Sequence, residues 1–210
     1  MSMRLLIIGA GGFAAEVADM IELLGYEVVG YYDEHPSGAP GYGDPAPPVF
    51  TSIEGIACDG AVLAIGDAVV RSRLHPVVAS RFNLPVLVHP SAWVSASASL
   101  AEGVLVMNNV VVTSRARVDA CTILNVGCYV AHDTHVGAYT HLAGGVQLGG
   151  GSSVAQGVFC GSGSVVLPSK HVGEWSTCGA GAVVTDDIPA HSVAVGVPAR
   201  VVRRLEESAR

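Results

Sequence analysis

Positive charge is scarce in this sequence: 11 lysines and arginines stand against 18 aspartates and glutamates, a net charge of -7. Nucleic-acid binders usually carry a basic patch, and none is visible, so nucleic acid is not expected as a partner. An acidic chain still accepts anionic ligands, because backbone N–H groups and a few local cations hold phosphate. Half of the residues are hydrophobic, yet no apolar run is long enough to cross a membrane. The opening MSMRLLIIGAGG lacks the longer apolar core and small-residue cleavage site of a signal peptide. A cytoplasmic protein with no membrane partner is the expectation. No CxxC pair occurs among the five cysteines, Cys58, Cys121, Cys128, Cys160 and Cys178. Their odd number argues against a disulfide framework, and the missing CxxC against a zinc knuckle. Cys128, Cys160 and Cys178 are expected as small core residues.

What the sequence does have is a rhythm. From Val94 to Val184 an apolar residue or cysteine returns every six positions, sixteen times without a break. Two positions before each member runs a second set of small residues, which Lys170 alone interrupts. Six is neither a helical period nor a plain strand alternation. It fits short strands separated by tight turns, wound as a parallel β-helix of about five triangular coils. The first set should fill the interior and the second set should sit near the corners. Glycines just after the large position, Gly137, Gly149 and Gly173, are expected to serve tight turns. One coil cannot bury its inner face alone, so stacking of coils supplies the core.

Ahead of the rhythm lies a smaller pattern. Arg4–Ile8 reads as a strand, the glycines of GAGG as a turn, residues 13–24 as a helix, and residues 27–31 as a second strand ending at Asp33. This is the first unit of a dinucleotide-type fold. Gly9, Gly11 and Gly12 do not meet the full GxGxxG spacing, so the fingerprint is partial. A phosphate near the helix N-terminus is one reading, and an unliganded strand–helix turn is the other. Residues 35–48 read as a loop, 61–65 as a strand, 69–82 as a helix and 84–88 as a last strand. His89 and Pro90 mark the boundary. Two domains are expected, a Rossmann-like α/β domain over residues 1–88 and an all-β solenoid with its tail over residues 89–210. In the tail, residues 186–189 should break the repeat and residues 193–195 should form the last strand. Arg200, Arg203 and Arg204 then follow, available to a solvated end or to a phosphate-bearing partner lying along the solenoid.

One coil differs from the rest. NVGCYVAHDTHVGAYTHLAGG, residues 125–145, holds His132, Asp133, His135 and His141. A neutral imidazole removes a proton from an amine or hydroxyl as it attacks an acyl group. A neighbouring carboxylate orients the ring and stabilises its charged form. His132 with Asp133 meets that need. Gly150, one coil on, offers a backbone N–H to a developing oxyanion. His132 and His141 are nine residues apart, half a coil, so they do not stack within one chain; an interface between chains would be needed to join them. His135 and His171 fall two coils apart on one column, about 9–10 Å, too far to share one zinc. No metal site is expected.

The rhythm together with IPAHSVAVGVPAR resembles the left-handed β-helix acyltransferases. The whole chain is similar to the bacterial sugar acetyltransferases of the sialic-acid O-acetyltransferase type, including those that acetylate nucleotide-linked 4-amino sugars. The resemblance implies a nucleotide-sugar site in the N-terminal domain, a homotrimer, and acetyl-CoA in a groove between subunits. It implies His132 as base with Asp133 beside it. It carries substrate contacts onto Gly9, Gly11, Gly12, Asp33, Glu34, Gly66, Asp67, Arg71 and Asn125. Contacts to acetyl-CoA fall on His141 and Gly150, with Lys170 and Arg200 as candidate cations. Phe13, Ala15 and Asp67 depart from the family pattern, which expects histidine, a basic residue and asparagine there. The expected activity is N-acetylation of a nucleotide-linked amino sugar. O-acetylation of a sugar or sialic acid needs the same base, and a non-catalytic β-helix binding protein needs none.

Overall fold

The computed structural model describes residues 2–35 and 47–206. It divides into two compact units, Met1–Leu87 and Val88–Arg210. The first unit is an α/β layer. Strands β1 (Arg4–Ile8), β2 (Glu27–Tyr32), β3 (Val49–Phe50) and β4 (Gly60–Leu63) form a parallel sheet in the order β3-β2-β1-β4. Helix α1 (Gly12–Leu23) follows β1, and helix α2 (Ala68–Ala79) follows β4. β1 is buried from Leu5 to Ile8, as a central parallel strand requires. Val17 and Ile21 are buried on α1, and Gly25 ends it with φ +74°.

The expected elements are present with shifted ends. β4 stops at Leu63 rather than residue 65, and α2 stops at Ala79 rather than residue 82. Asp67 caps α2, its Oδ1 accepting from the N–H groups of Val69 and Val70 at 2.8 and 3.0 Å. The strand expected over residues 84–88 is only Leu87–Val88, since Pro85 has no N–H to give a ladder, and it is no part of the four-stranded sheet: it ends the sheet that carries Leu105–Val106. Most of the expected loop over residues 35–48 lies outside the described residues.

The second unit is a left-handed parallel β-helix. Two-residue strands stack in register 18 residues apart, as in Tyr129↔Gln147, His135↔Ser153 and His141↔Phe159. Three faces result. One carries Trp93, Val111, Tyr129, Gln147, Val165 and Val183 outward; a second carries Ser99, Arg117, His135, Ser153 and His171; a third carries Leu105, Ile123, His141, Phe159 and Thr177. From Val106 to Val184 every inward member of the rhythm is at most 1% exposed. From Val104 to Ala182 the second set is buried as well, Lys170 apart, and its threonine hydroxyls are used: Thr122 Oγ1 donates to Gly137 O at 3.0 Å and Thr140 Oγ1 to Ala155 O at 2.9 Å. Small polar residues suit these positions because each can satisfy a carbonyl of the next coil.

Two expectations about the solenoid need correction. Gly137 and Gly149 do not serve turns by positive φ. A Cβ on them would sit 2.5 and 2.6 Å from the backbone of Gln156 and Pro168, so coil-to-coil approach requires glycine there. Residues 193–195 are not the last strand either. Ser192–Val195 pairs antiparallel with Arg200–Arg204 after a turn at Gly196–Ala199 that includes a cis Val197–Pro198 bond. Residues 186–189 shorten a coil without ending it, since Ile188 still bridges Val172 and stays buried. Among the described residues no helix is long and apolar enough to cross a membrane.

Candidate active site

Two places carry chemistry, one in each unit. In the first unit a cleft of about 590 Å³ opens at the C-terminal ends of β1, β2 and β4. Ligands bind at this edge of open parallel sheets because the strand-to-helix turns leave N–H groups unpaired there. Its lining includes Gly9, Gly11, Gly12, Asp33, Glu34 and Gly66 from the expected set, and Phe13, His35 and Arg73 besides. Asp33 also holds the turn: its Oδ2 accepts from Ala10 N–H at 3.2 Å and its Oδ1 from His35 N–H at 2.9 Å. Glu34 accepts from the Tyr32 hydroxyl at 2.9 Å, and burial together with that bond pushes the Tyr32 phenol up.

Arg71 and Asp67 were expected in this cleft and do not line it. Arg71 is fully buried, and its guanidinium donates to Ile65 O at 2.6 Å and Gly66 O at 2.8 Å. It ties down the loop that borders the cleft, and Asp67 caps the helix behind it. Local spacing placed both near the right loop but did not reveal which way they face. Arg73, two residues on, is the exposed arginine at the cleft.

In the second unit the chemistry sits on one edge of the solenoid. His132 and Asp133 form the turn between Tyr129–Val130 and His135–Val136. The turn above is Gly150–Gly151, locked by Gly151 N–H to His132 O at 2.9 Å, and the next is Pro168–Ser169, locked by Ser169 N–H to Gly150 O at 3.0 Å. His132 Nδ1 lies 2.8 Å from Asp133 Oδ2. Asp133 is gripped from the turn below by Arg115, with Nε to Oδ1 at 2.7 Å and Nη2 to Oδ2 at 2.9 Å. The Arg115 bonds, then the His132 bond, hold the Asp133 carboxyl well below the usual carboxylate range. The His132 ring rests against Gly150, where a Cβ would come within 2.6 Å of Cε1 and Nε2. Sequence reasoning missed Arg115, although its spacing of one coil from Asp133 was available.

The other expected residues lie elsewhere on the single chain. His141 is on the third face, stacked edge-on against Phe159 at 5.4 Å. Asn125 ends that same face, its Oδ1 accepting from Val126 N–H at 2.7 Å. The face holding His141 lies across the solenoid from the His132 edge. Lys170 follows the Pro168–Ser169 turn on the His132 edge, and Arg200 pairs with Asp186 at 3.2 Å. His135 Nε2 meets Asp119 Oδ2 at 2.7 Å, and His171 Nδ1 meets Ser153 Oγ at 2.9 Å. Among the described residues no group of three or more His, Cys, Asp or Glu side chains is placed to hold a metal ion. Cys128 is buried, with Sγ 3.2 Å from Ala143 O, and burial pushes its thiol up to about 11.

Comparison with known proteins adds the following. Residues 4–78 match the family described as the PglD N-terminal domain. PerB from Caulobacter crescentus, solved in complex with CoA and GDP-perosamine, is 34% identical, with 95% of this chain and 97% of that one covered and a TM-score of 0.88. The acetyltransferase domain of PglB from Neisseria gonorrhoeae, solved in complex with acetyl coenzyme A, is 30% identical, with 96% and 100% covered and a TM-score of 0.89. Among curated proteins, the 2,3,4,5-tetrahydropyridine-2,6-dicarboxylate N-acetyltransferase of Enterococcus faecalis is 43% identical over 53 residues, 23% of its length. A Schizosaccharomyces pombe relative is 45% identical over 62 residues, 30% of its length. This chain thus spans only about a quarter to two fifths of the length of the curated relatives it matches.

Proposed function

Because the chain belongs to the bacterial nucleotide-sugar N-acetyltransferases of the hexapeptide-repeat, left-handed β-helix family, we propose that it transfers the acetyl group of acetyl-CoA to the amine of a nucleotide-linked amino sugar. The observation that carries this reading is the His132–Asp133 pair, 2.8 Å apart, on an edge whose next turn is cleared to glycine. His132 is the general base. The amine nitrogen attacks the thioester carbonyl while Nε2 takes its proton, a C–N bond forms, the C–S bond breaks, and the thiolate leaves to be protonated as CoA. The Gly150 N–H is assigned to the carbonyl oxygen as it gains charge. No cysteine intermediate is involved, since the buried Cys128 thiol stays protonated at neutral pH.

The cleft of the first unit is assigned to the nucleotide, supported by its place at the strand ends and by the matched N-terminal family. The glycine turn supplies N–H donors to the diphosphate and Arg73 supplies a cation. Acetyl-CoA is assigned to the edge running from His132 past Gly150 to Lys170, with Arg200 beyond. Both cosubstrates are made in the cytoplasm, where this reading places the protein.

The assembly in this reading is a homotrimer, and the layout of the solenoid supports it. The face of Trp93 and Tyr129 and the face of Phe159 expose apolar groups, 55%, 41% and 38% exposed, while the intervening face is polar. Two unlike faces that pack on each other generate a ring of copies. Such packing brings the His132 edge of one copy beside the His141 face of the next. The number three is what the family resemblance implies.

An acetyl-transfer assay over UDP-, GDP- and TDP-linked amino sugars, with free sugars as hydroxyl controls, tests the reading. His132→Ala should lower turnover on the best substrate by about 10²-fold or more. Near wild-type turnover in that variant would overturn the base assignment.

A further inference from the structure

Arg115 is a side chain for which the reaction as described above gives no task. It stands on the turn one coil before His132, and its backbone N–H is tied to Ser97 Oγ at 3.1 Å. Asp133 N–H is tied in turn to Ser114 O at 3.1 Å. Arg115 and Asp133 occupy the same place in successive turns, with φ of 59° and 61°, so their side chains leave the edge in the same direction. The result is a two-point grip: Nε to Oδ1 at 2.7 Å and Nη2 to Oδ2 at 2.9 Å. Both side chains are exposed to solvent, at 66% and 45%. A pair this exposed adds little to folding stability, because water screens it and two long side chains lose freedom. A forked grip in that setting fixes geometry more than it holds the fold.

The geometry it fixes matters to His132. An ionised carboxylate is an acceptor only, so the imidazole nitrogen facing Asp133 Oδ2 at 2.8 Å must be the one that bears hydrogen. The remaining nitrogen, Nε2, then holds the lone pair and lies against Gly150. If Asp133 were protonated or turned away, either tautomer could form and the ring could rotate. We propose that Arg115 is a positioning residue for acetyl transfer, acting through Asp133 to hold His132 as the Nδ1–H tautomer with Nε2 ready for the proton.

The inference rests on His132 being the base. It also has a consequence for pH. The turn below Asp133 presents Arg115, and the turn above presents only Gly150 and Gly151. Among the described residues the charged groups acting on Asp133 are therefore Arg115 and His132. Arg115 offsets part of the negative charge that His132 feels. Its removal leaves that charge uncompensated, which favours the imidazolium and moves the acid limb of activity to higher pH.

The test uses the full-length protein with acetyl-CoA and its best nucleotide amino sugar. It compares kcat, KM and the pH dependence of kcat/KM for wild type, Arg115→Met, Arg115→Lys and His132→Ala. The sugar amine titrates identically in every assay, so only shifts between variants count. Arg115→Met should lower kcat by about tenfold, part of what a base contributes, with both KM values little changed and the acid limb at higher pH. Arg115→Lys should return the acid limb toward its wild-type position, because the charge is back. It should leave kcat reduced, because an ammonium lacks the fork. An inactive His132→Ala together with wild-type kcat and profile in both Arg115 variants would overturn this inference alone. A fully active His132→Ala would overturn the base assignment and this inference with it. Should Arg115→Met not fold, Arg115→Lys decides: an unchanged kcat overturns the proposal.

Discussion

At Gly150 one hydrogen atom stands where any other residue would put a methyl group into an imidazole. Its backbone is not in the left-handed region, so alanine would be tolerated on conformational grounds. The space is what forbids it, since the new Cβ would fall 2.6 Å from two atoms of the His132 ring. The ring sits at an exposed edge and would swing aside rather than unfold the coil. Gly150→Ala should therefore lower kcat by about tenfold or more through misplacement of the base. Its melting temperature should stay within about 2 °C of wild type, because surface changes of this kind cost little stability. Steady-state kinetics beside a thermal melt checks both halves. An unaltered kcat would mean that the ring does not need the place it occupies. His132, Asp133 and Gly150 were legible in the sequence because a fixed coil length of 18 turns spacing into adjacency. Arg115 followed the same arithmetic but carried no motif to draw attention to it. Arg71 misled for the opposite reason: a motif named the loop, and burial decided that the guanidinium faces inward.

Within the elements, the solenoid was legible almost to the residue, because one inward side chain in six leaves no freedom of register. The α/β unit was legible in order but not in its limits. Helix and strand ends there depend on capping and on neighbours, such as Asp67 on α2 and Pro85 before Leu87–Val88. The antiparallel return of Arg200–Arg204 was not legible at all. Its residues are exposed throughout, so no apolar periodicity marked them. The glycines of the rhythm give a direct test of the stacking. Gly137 has an ordinary φ, and a Cβ there would meet the Ala155–Gln156 backbone at 2.5 to 2.6 Å, atoms that cannot move without parting two coils. Gly144 has a backbone oxygen 3.6 Å away, an ordinary contact. Gly137→Ala should thus cost about 1–3 kcal/mol, the range for overpacking a close contact. Gly144→Ala should be close to neutral. Thermal or denaturant unfolding of the two variants checks this, and equal losses would mean that coil spacing is not what selects Gly137.

On the scale of the whole molecule, the decisive fact is that one chain keeps its candidate groups apart. His132 occupies an edge between two faces, and His141 lies on the third face with Phe159 packed against it. Neither side chain can reach the other around a closed, stacked core. If both serve one acetyl transfer, a second copy must supply one of them, and activity becomes a property of the assembly. The exposed Tyr129 and Phe159 are where that dependence can be tested, because they stand on the two apolar faces. Placing a carboxylate at either position sets a charge against an apolar partner in the ring, which costs far more in an interface than in water. The double variant Tyr129→Glu, Phe159→Glu should elute as a species of one chain, 21.4 kDa, where wild type elutes at about three times that mass. It should retain its melting transition, since neither residue belongs to the buried interior, and should lose acetyl transfer. Light scattering coupled to gel filtration, with activity measured on the same fractions, reads both properties at once. A fully active single chain would show that one solenoid holds a complete site, and the division of His132 and His141 between copies would fall.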